Sequence, residues 1–298
     1  MNRLVRICLI IELSIFKWGI YFLKIPKGTI YKEIIMQTNY LTYTEPGKRN
    51  VNQDELKAYT HDNYTVKNKD MGELFIVTDG MGGEQAGKAA ANLVCEKIFD
   101  TYYASPKGPD FDNHDIITQF MEQAMMAINM QIKHEGDTNP QKKGWGCAAS
   151  ILMIRPPSYY FVHTGDTRIY HIQNGDARLL TEDHNIAYQK YLMQRLSYEK
   201  YLTSSGHNKL LSFCGMGEGI SIQTGADQLQ SGDRFILCSD GLNQFMQIQD
   251  VASFVKDHAH LTDIALFSEI TATVDPDAAD DNVSIMLVGY HPKESDHV

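Results

Sequence analysis

Five short segments that each carry an aspartate most constrain how this chain can fold. Most of them stand where a hydrophobic, strand-like run meets a glycine or a polar turn. Strand ends of this kind can bring distant carboxylates together at one end of a sheet. Carboxylates gathered without matching cations repel one another or take up protons, so such groups usually hold hard divalent metals. The segments are Arg49-Asn-Val-Asn-Gln-Asp54, Asp79-Gly-Met-Gly-Gly83, Gly165-Asp-Thr-Arg168, Ser239-Asp-Gly-Leu242 and Asp281-Asn282.

Composition limits the class of protein. With 298 residues, 43% of them hydrophobic, the chain can bury a substantial core as one large domain or two ordinary ones. A net charge of −10 argues against nucleic-acid binding, which needs a basic face. The five cysteines include no Cys-x-x-Cys pair, so a disulfide framework and a zinc–thiolate site are both poorly supported. A reducing cytoplasm is the simplest compartment.

Residues 1–35 differ from the rest of the chain. Their apolar stretch, residues 7–23, is interrupted by Glu12 and Lys17, so a clean membrane span is not expected. We interpret residues 1–35 as a non-native N-terminal extension, with the native start at Met36. The alternative is a basic, aromatic anchor that lies in a membrane interface.

The hydrophobic pattern after Met36 predicts an α+β layered domain. Strand runs come first, then a helical pair, then further strands with a hairpin turn at Asn174-Gly175. Strands are predicted at 74–78, 148–154, 159–163, 168–172, 177–180, 234–238 and 283–289, and helices at 85–103, 116–134, 249–258 and 264–274.

Taken together, the segments resemble the metal-dependent PP2C (PPM) protein serine/threonine phosphatases, in the bacterial form that carries Asp79-Gly-Met-Gly-Gly83. The matches appear in the family's order over residues 40–290. The resemblance implies a PP2C-like four-layer α-β-β-α sandwich, with two central antiparallel sheets flanked by helices. It implies a phosphatase domain at 36–292 and a short C-terminal tail at 293–298. Further matching segments are Leu180-Thr-Glu-Asp-His184 and Gly232-Asp-Arg-Phe-Ile-Leu-Cys238.

The resemblance also implies a dinuclear metal site. By motif position, Asp79 bridges the two metals and the backbone carbonyl of Gly80 ligates one of them. Asp240 and Asp281 complete the shell of the other. An all-oxygen ligand set without histidine or cysteine favours Mn²⁺ or Mg²⁺ over zinc.

Three further positions extend this implied site. Asp54 contacts the cluster through water, and Asp166 together with Asp240 holds a third metal. Arg49 falls at the family's phosphate-binding position, where a planar guanidinium can grip two phosphate oxygens. A solvated surface arginine is the alternative interpretation of Arg49.

The chain departs from the family pattern at three positions. Gln53 replaces a glutamate, which predicts a more loosely held metal. Met81 replaces a histidine of the eukaryotic branch, so the leaving serine must be protonated in another way. Gln244 replaces an aspartate near the third metal. We interpret His184 and His163 as structural, and residues 186–209 as the family's variable flap.

The resulting hypothesis is a cytoplasmic, monomeric phosphatase that opposes a serine/threonine kinase. It would hydrolyse phosphoserine and phosphothreonine in proteins by direct attack of a hydroxide that bridges two metals. One alternative is a catalytically weak or inactive relative that only binds phosphoproteins, against which the retained aspartates argue. The other is a membrane-tethered signalling protein anchored by residues 1–35.

Overall fold

Two antiparallel sheets pack face to face, and helices cover both outer faces. The computed structural model describes residues 20–22, 33–61, 71–103, 113–202, 204–207 and 209–292, and the structural statements below concern these residues. The strands are β1 (Ile20–Phe22), β2 (Glu33–Glu45), β3 (Glu55–Tyr59), β4 (Glu73–Met81), β5 (Gly146–Arg155), β6 (Ser158–Thr164), β7 (Arg168–Gln173), β8 (Asp176–Leu179), β9 (Gln223–Gln228), β10 (Arg234–Cys238) and β11 (Val283–Pro292). The helices are α1 (Glu84–Tyr103), α2 (His114–Thr138), α3 (Ile186–Leu192), α4 (Tyr198–Leu202), α5 (Ile248–Asp257) and α6 (Asp263–Ala272).

The strands form a first sheet in the order β1-β2-β11-β10-β7-β8 and a second in the order β3-β4-β5-β6-β9. Side chains that alternate along each strand divide the core into three apolar layers. In β4, Phe75 and Val77 point between the sheets, whereas Leu74 and Ile76 point toward α1 and α2. Helices α5 and α6 cover the outer face of the first sheet. These layers are the four-layer α-β-β-α sandwich that the family resemblance implies.

Both edge strands of the second sheet were missed by the sequence prediction. Strand β3 pairs with β4 on one side only, and β9 pairs likewise with β6. Their sequences, Glu-Leu-Lys-Ala-Tyr and Gln-Thr-Gly-Ala-Asp-Gln, are polar because one flank of an edge strand faces solvent. The remaining predicted strands and helices are all present, with ends shifted by a few residues.

Strand β2 begins before Met36 and continues after it. Its residues Glu33 and Ile35 pair with Phe22 and Ile20 of β1. The start at Met36 and the domain limits stay predictions. The described cysteines, Cys95, Cys147, Cys214 and Cys238, are free and buried. None of the helices in the described ranges is long and apolar enough to cross a membrane.

Asn129 joins helix α2 to the loop that precedes β9. Its side chain is fully buried, and Oδ1 accepts hydrogen bonds of 3.0 Å from the amides of Gly215 and Gly217. Its Nδ2 donates to the carbonyl of Gly217 at 3.0 Å. One amide group therefore satisfies three buried backbone groups.

Replacing Asn129 by alanine should lower the free energy of unfolding by about 2–4 kcal/mol, because the buried backbone groups lose their partners. Chemical denaturation measures this change. Met130→Ala is the control, since Met130 lies next to Asn129 but is 43% exposed. Its cost should be about 0.5 kcal/mol or less. Equal costs for the two variants would contradict the role given to Asn129.

Candidate metal centre

The antiparallel registers bring the five aspartates to one end of the sandwich. Asp79 lies near the end of β4, opposite Ala148 of β5, and Asp54 directly precedes β3. In the first sheet, Cys238 pairs with both Arg168 and Ile285. Asp166, Asp240 and Asp281 therefore stand just beyond neighbouring strand ends, as the sequence predicts.

Three of these side chains form a compact group, Asp79, Asp166 and Asp240. One carboxylate oxygen from each lies within 4.8 Å of the others. Burial and the nearby charge of Asp54 raise the pKa of Asp79 well above its usual value. Burial, followed by the charge of Asp281, raises the pKa of Asp240 to about 6. The group thus carries more negative charge than its surroundings compensate.

Asp54 lies beside this group and is almost completely buried. Neither of its carboxylate oxygens has a hydrogen-bond partner of good geometry. Burial raises its pKa to about 7, although the hydroxyls of Ser239 and Ser284 lie close enough to favour the ionised form. Orphaned buried carboxylate oxygens next to three clustered carboxylates fit a hard divalent cation, which would satisfy them.

Arg168 is the buried cation closest to the group in sequence, but it is already paired. Its Nε and Nη2 donate to the two carboxylate oxygens of Asp183 at 2.8 and 2.6 Å, and both side chains are 1% exposed. Its Nη1 donates to Asn243 in the 3₁₀ helix Asp240–Gln244. Arg168 therefore joins the carboxylate group to the base of residues 186–209. Because its own charge is paired with Asp183, most of the negative charge of the carboxylate group stays uncompensated.

Asp281 and Arg49 stand at the rim of the group. Asp281 Oδ2 accepts a hydrogen bond of 2.9 Å from Arg49 Nη2, and its Oδ1 accepts one of 2.9 Å from the amide of Asn282. Arg49 Nε donates to the carbonyl of Asp280 at 3.1 Å. The Arg49 side chain is 56% exposed. The guanidinium thus lies beside a predicted metal ligand and open to solvent.

Gly80 lies between Asp79 and helix α1, opposite Cys147 in the sheet. A Cβ at position 80 would collide with the carbonyl of Gly87 in α1 and lie 2.9 Å from the carbonyl of Gln53. Only glycine fits where these three backbone segments meet. The ligation of a metal by the Gly80 carbonyl stays a prediction.

The comparisons with known proteins agree on one family. A family model described as protein phosphatase 2C matches residues 48–279. The serine/threonine phosphatase stp of Listeria welshimeri is 24% identical over 234 residues, which are 78% of this chain and 91% of the relative. Protein phosphatase PhpP of Streptococcus pneumoniae is 22% identical over 249 residues, 84% of this chain and 96% of the relative.

Solved structures share the fold. The serine/threonine phosphatase of S. agalactiae superposes with a TM-score of 0.72 at 24% identity, covering 85% of this chain and 99% of that one. Phosphatase Stp1 of Staphylococcus aureus gives a TM-score of 0.72 at 20% identity, covering 87% and 96%.

The chain belongs to the protein phosphatase 2C family. The predicted family, the sandwich fold and the enzyme class, a protein serine/threonine phosphatase, are thereby confirmed. A further fold relative, the catalytic domain of the serine/threonine protein phosphatase PstP, was solved in complex with two manganese ions (TM-score 0.64, 21% identity, covering 86% of this chain and 99% of that one).

In this phosphatase, the three departures from the family pattern have visible positions. Gln53 Nε2 donates to the carbonyl of Gly83 at 3.0 Å. Gln244 Oε1 accepts a hydrogen bond of 2.8 Å from the amide of Asp280. Each amide therefore binds a backbone group of a neighbouring loop. Met81 is the last residue of β4 and is partly buried.

The two histidines hold the phosphatase fold together. His184 Nδ1 accepts a hydrogen bond of 3.2 Å from the amide of Gly165. His163 is fully buried between Ser150 Oγ, at 2.8 Å, and the carbonyl of Glu182, at 3.0 Å. Burial lowers the pKa of His163 to about 3, so it is neutral at physiological pH. These contacts support the structural interpretation.

Sequence reasoning gave no role to two residues beside the site, Arg168 and Asn282. Both stand inside quoted segments, two residues after Asp166 and one after Asp281. Their closeness in sequence to predicted ligands is the signal from which a role at the site could have been predicted. The pairings themselves could not be read from sequence. Asp183 stands in a different quoted segment from Arg168, and the backbone carbonyls that bind Asn282 have no sequence signature.

In EDTA, Asp79→Asn should be more stable than the wild type, and the difference should grow from about pH 4 to about pH 7. Burial raises the pKa of Asp240 to about 6 and that of Asp54 to about 7 in the folded protein. Protonation of these carboxyl groups thus stabilises the fold fully at pH values below their pKa in the unfolded chain. This stabilisation is lost as the pH rises through their pKa in the folded protein. Replacing the Asp79 carboxyl group by an amide removes one source of repulsion, so the variant loses less stability than the wild type as the pH rises.

Thermal unfolding at several pH values measures this difference. Asp280→Asn is the control, because the Asp280 side chain is exposed and contacts Lys48 at 2.8 Å. It should shift the melting temperature little and equally at each pH. An Asp79→Asn difference that does not change with pH would show that the carboxylates do not repel one another as described.

Proposed function

We propose that this enzyme hydrolyses phosphoserine and phosphothreonine in proteins with two divalent cations, Mn²⁺ or Mg²⁺, and a third at Asp166. The observation that carries the proposal is the group of buried Asp166 and half-buried Asp79 and Asp240, from each of which one carboxylate oxygen lies within 4.8 Å of the others. Their charge is uncompensated, and the relatives named above are serine/threonine phosphatases.

When bound, the cations would lower the pKa of a coordinated water to give a hydroxide nucleophile near neutral pH and would polarise the phosphoryl group. Asp79, Asp240 and Asp281 would hold the central pair, and the Gly80 carbonyl would add a ligand. Asp54 would orient solvent around the cluster. The water oxygen forms the new bond to phosphorus as the bond to the serine or threonine oxygen breaks, and that oxygen takes up a proton.

Arg49 would bind and orient the phosphate. Its guanidinium faces solvent beside Asp281, and a planar guanidinium can donate to two phosphate oxygens at once. The pairing with Asp281 keeps it within reach of the carboxylate group.

A covalent phosphoenzyme is not expected. Cys147 lies opposite Gly80 in the sheet but is fully buried, and contact with Cys214 together with burial raises its thiol pKa well above the usual value. It therefore carries no thiolate for attack on phosphorus.

The proposal includes phosphoproteins as partners, an opposing serine/threonine kinase, a monomeric state and a cytoplasmic location. Phosphoprotein substrates are supported by the names of the relatives. The alternative of an inactive phosphoprotein-binding relative is not favoured, because the aspartates proposed to hold the central pair, Asp79, Asp240 and Asp281, are all retained. Asp79, Asp166 and Asp240 also lie together, with Asp54 beside them.

Asp79→Asn should lower Mn²⁺-dependent hydrolysis of p-nitrophenyl phosphate and of a phosphothreonine peptide by about 100-fold or more, since it removes a carboxylate that would hold the central pair of cations. Initial rates with and without EDTA measure the loss, and circular dichroism confirms the fold. Asp280→Asn, the matched carboxylate outside the group, should retain activity. Absence of metal-dependent turnover in the wild type would instead favour the phosphoprotein-binding alternative.

Arg49→Ala should raise KM for a phosphopeptide by about 10-fold and change kcat much less, because the side chain binds phosphate in the ground state. Lys48→Ala is the control. Lys48 is the adjacent cation, and its ammonium is occupied by Asp280. Steady-state kinetics with both variants decide the question, and an unchanged KM for Arg49→Ala would remove Arg49 from the phosphate site.

A further inference from the structure

The loop that carries Arg49 has no secondary structure of its own. We define the Arg49 loop as residues 46–53, which connect β2 to Asp54 and β3. Its position relative to the carboxylates therefore depends on contacts with other segments. The segment just before β11, residues 279–282, supplies most of them.

Part of this contact is backbone against backbone. The amide of Lys48 donates to the carbonyl of Ala279 at 2.8 Å. Gly47 has a φ of +58°, and a Cβ there would lie 2.5 Å from the carbonyl of Asp281 and 2.7 Å from that of Ala279. The loop thus lies flat on residues 279–281. These contacts position the first residues of the Arg49 loop, and they do not involve its last residues.

The side chain of Asn282 joins both ends of the loop. Its Nδ2 donates to the carbonyl of Pro46 at 2.9 Å and to that of Val51 at 3.2 Å. Its Oδ1 accepts a hydrogen bond of 2.9 Å from the amide of Gln53. The residue is 5% exposed, so water does not replace these bonds readily.

We propose that Asn282 is a positioning residue that holds the Arg49 loop against the carboxylate group and so presents Arg49 to the substrate phosphate. The inference rests on the proposed function for its kinetic consequence. An amide suits this position because one side chain supplies two donors and an acceptor. Aspartate lacks the donors for Pro46 and Val51, and serine can serve only part of the set.

Asn282 acts on the loop and not on the neighbouring ligand. Asp281 Oδ1 accepts from the backbone amide of Asn282, which remains when the side chain is truncated. Gly241 also packs against the backbone carbonyl of Asn282. Loss of the Asn282 amide should therefore release the loop and leave Asp281 in place.

The test is a double-mutant cycle with Arg49. Asn282→Ala should raise KM for a phosphothreonine peptide by about 10-fold and leave kcat within about 3-fold. If Asn282 acts through Arg49, the KM of Asn282→Ala/Arg49→Ala should lie within about 2-fold of that of Arg49→Ala alone. Multiplication of the two single effects would overturn the proposal.

Two measurements without turnover accompany the kinetics. Hydrogen exchange of the amides of residues 46–53 should become faster in Asn282→Ala, and the Mn²⁺ dissociation constant from calorimetry should change by less than about 3-fold. A Mn²⁺ affinity weakened by about 10-fold or more would show that Asn282 acts through Asp281 instead. If the wild type proves inactive, unchanged exchange in the variant still refutes the bracing role.

Asn129→Ala is the matched control, because Asn129 is also a buried asparagine with three backbone hydrogen bonds but lies in α2. It should lower the melting temperature and leave KM unchanged. An equal rise in KM in both variants would show only a general loss of stability. Asn282→Ser, which keeps part of the hydrogen bonding, should give an intermediate KM and serves as the second variant if the alanine variant does not fold.

Discussion

Repulsion among buried carboxylates is the constraint on which the rest of this structure depends. At separations of at most 4.8 Å and an effective dielectric constant of about 20, each ionised pair among Asp79, Asp166 and Asp240 repels by about 3 kcal/mol or more. Three such pairs amount to about 10 kcal/mol, comparable to the whole net stability of a typical domain. The metal-free protein must therefore hold some of these groups protonated, which agrees with their raised pKa values. Divalent cations remove this cost and make the ionised form the stable one.

Backbone register and polar contacts keep the carboxylates together despite this repulsion. Three apolar layers pack the two sheets against each other and against the helices. Antiparallel pairing then places the five aspartates at the same end of the sandwich. Arg168 is held by Asp183 with two short hydrogen bonds, so it supports the surrounding loops and cannot serve as a full counter-ion. Arg49, which donates to the side chain of the predicted ligand Asp281, is half-exposed and so remains available to substrate. The arrangement leaves the buried charge for metals and the exposed charge for phosphate.

Much of this architecture could be predicted from sequence, because its strands are buried and their apolar patterns are strong. The apolar runs that lead to Asp79 and to Asp240 are examples, because each run alone predicts a buried strand with the aspartate at its end. Edge strands β3 and β9 were missed because their polar residues carry no such pattern. The pairing of Arg49 with Asp281 was also beyond sequence reasoning, since it depends on how a loop of irregular backbone folds over a segment about 230 positions away.

Gln53 and Gln244 show how side-chain chemistry and backbone geometry combine at this site. The family resemblance predicts carboxylates at both positions and therefore weaker metal binding in this chain. The structure adds a compensating effect, because each amide binds a backbone group, the carbonyl of Gly83 or the amide of Asp280. A carboxylate at position 53 could not donate to that carbonyl and would add another negative charge beside Asp54, whose pKa is already raised. Glutamine at position 53 thus exchanges metal-binding charge for lower repulsion and a firmer loop in the metal-free protein, whereas glutamine at position 244 makes a bond that a carboxylate oxygen could also accept.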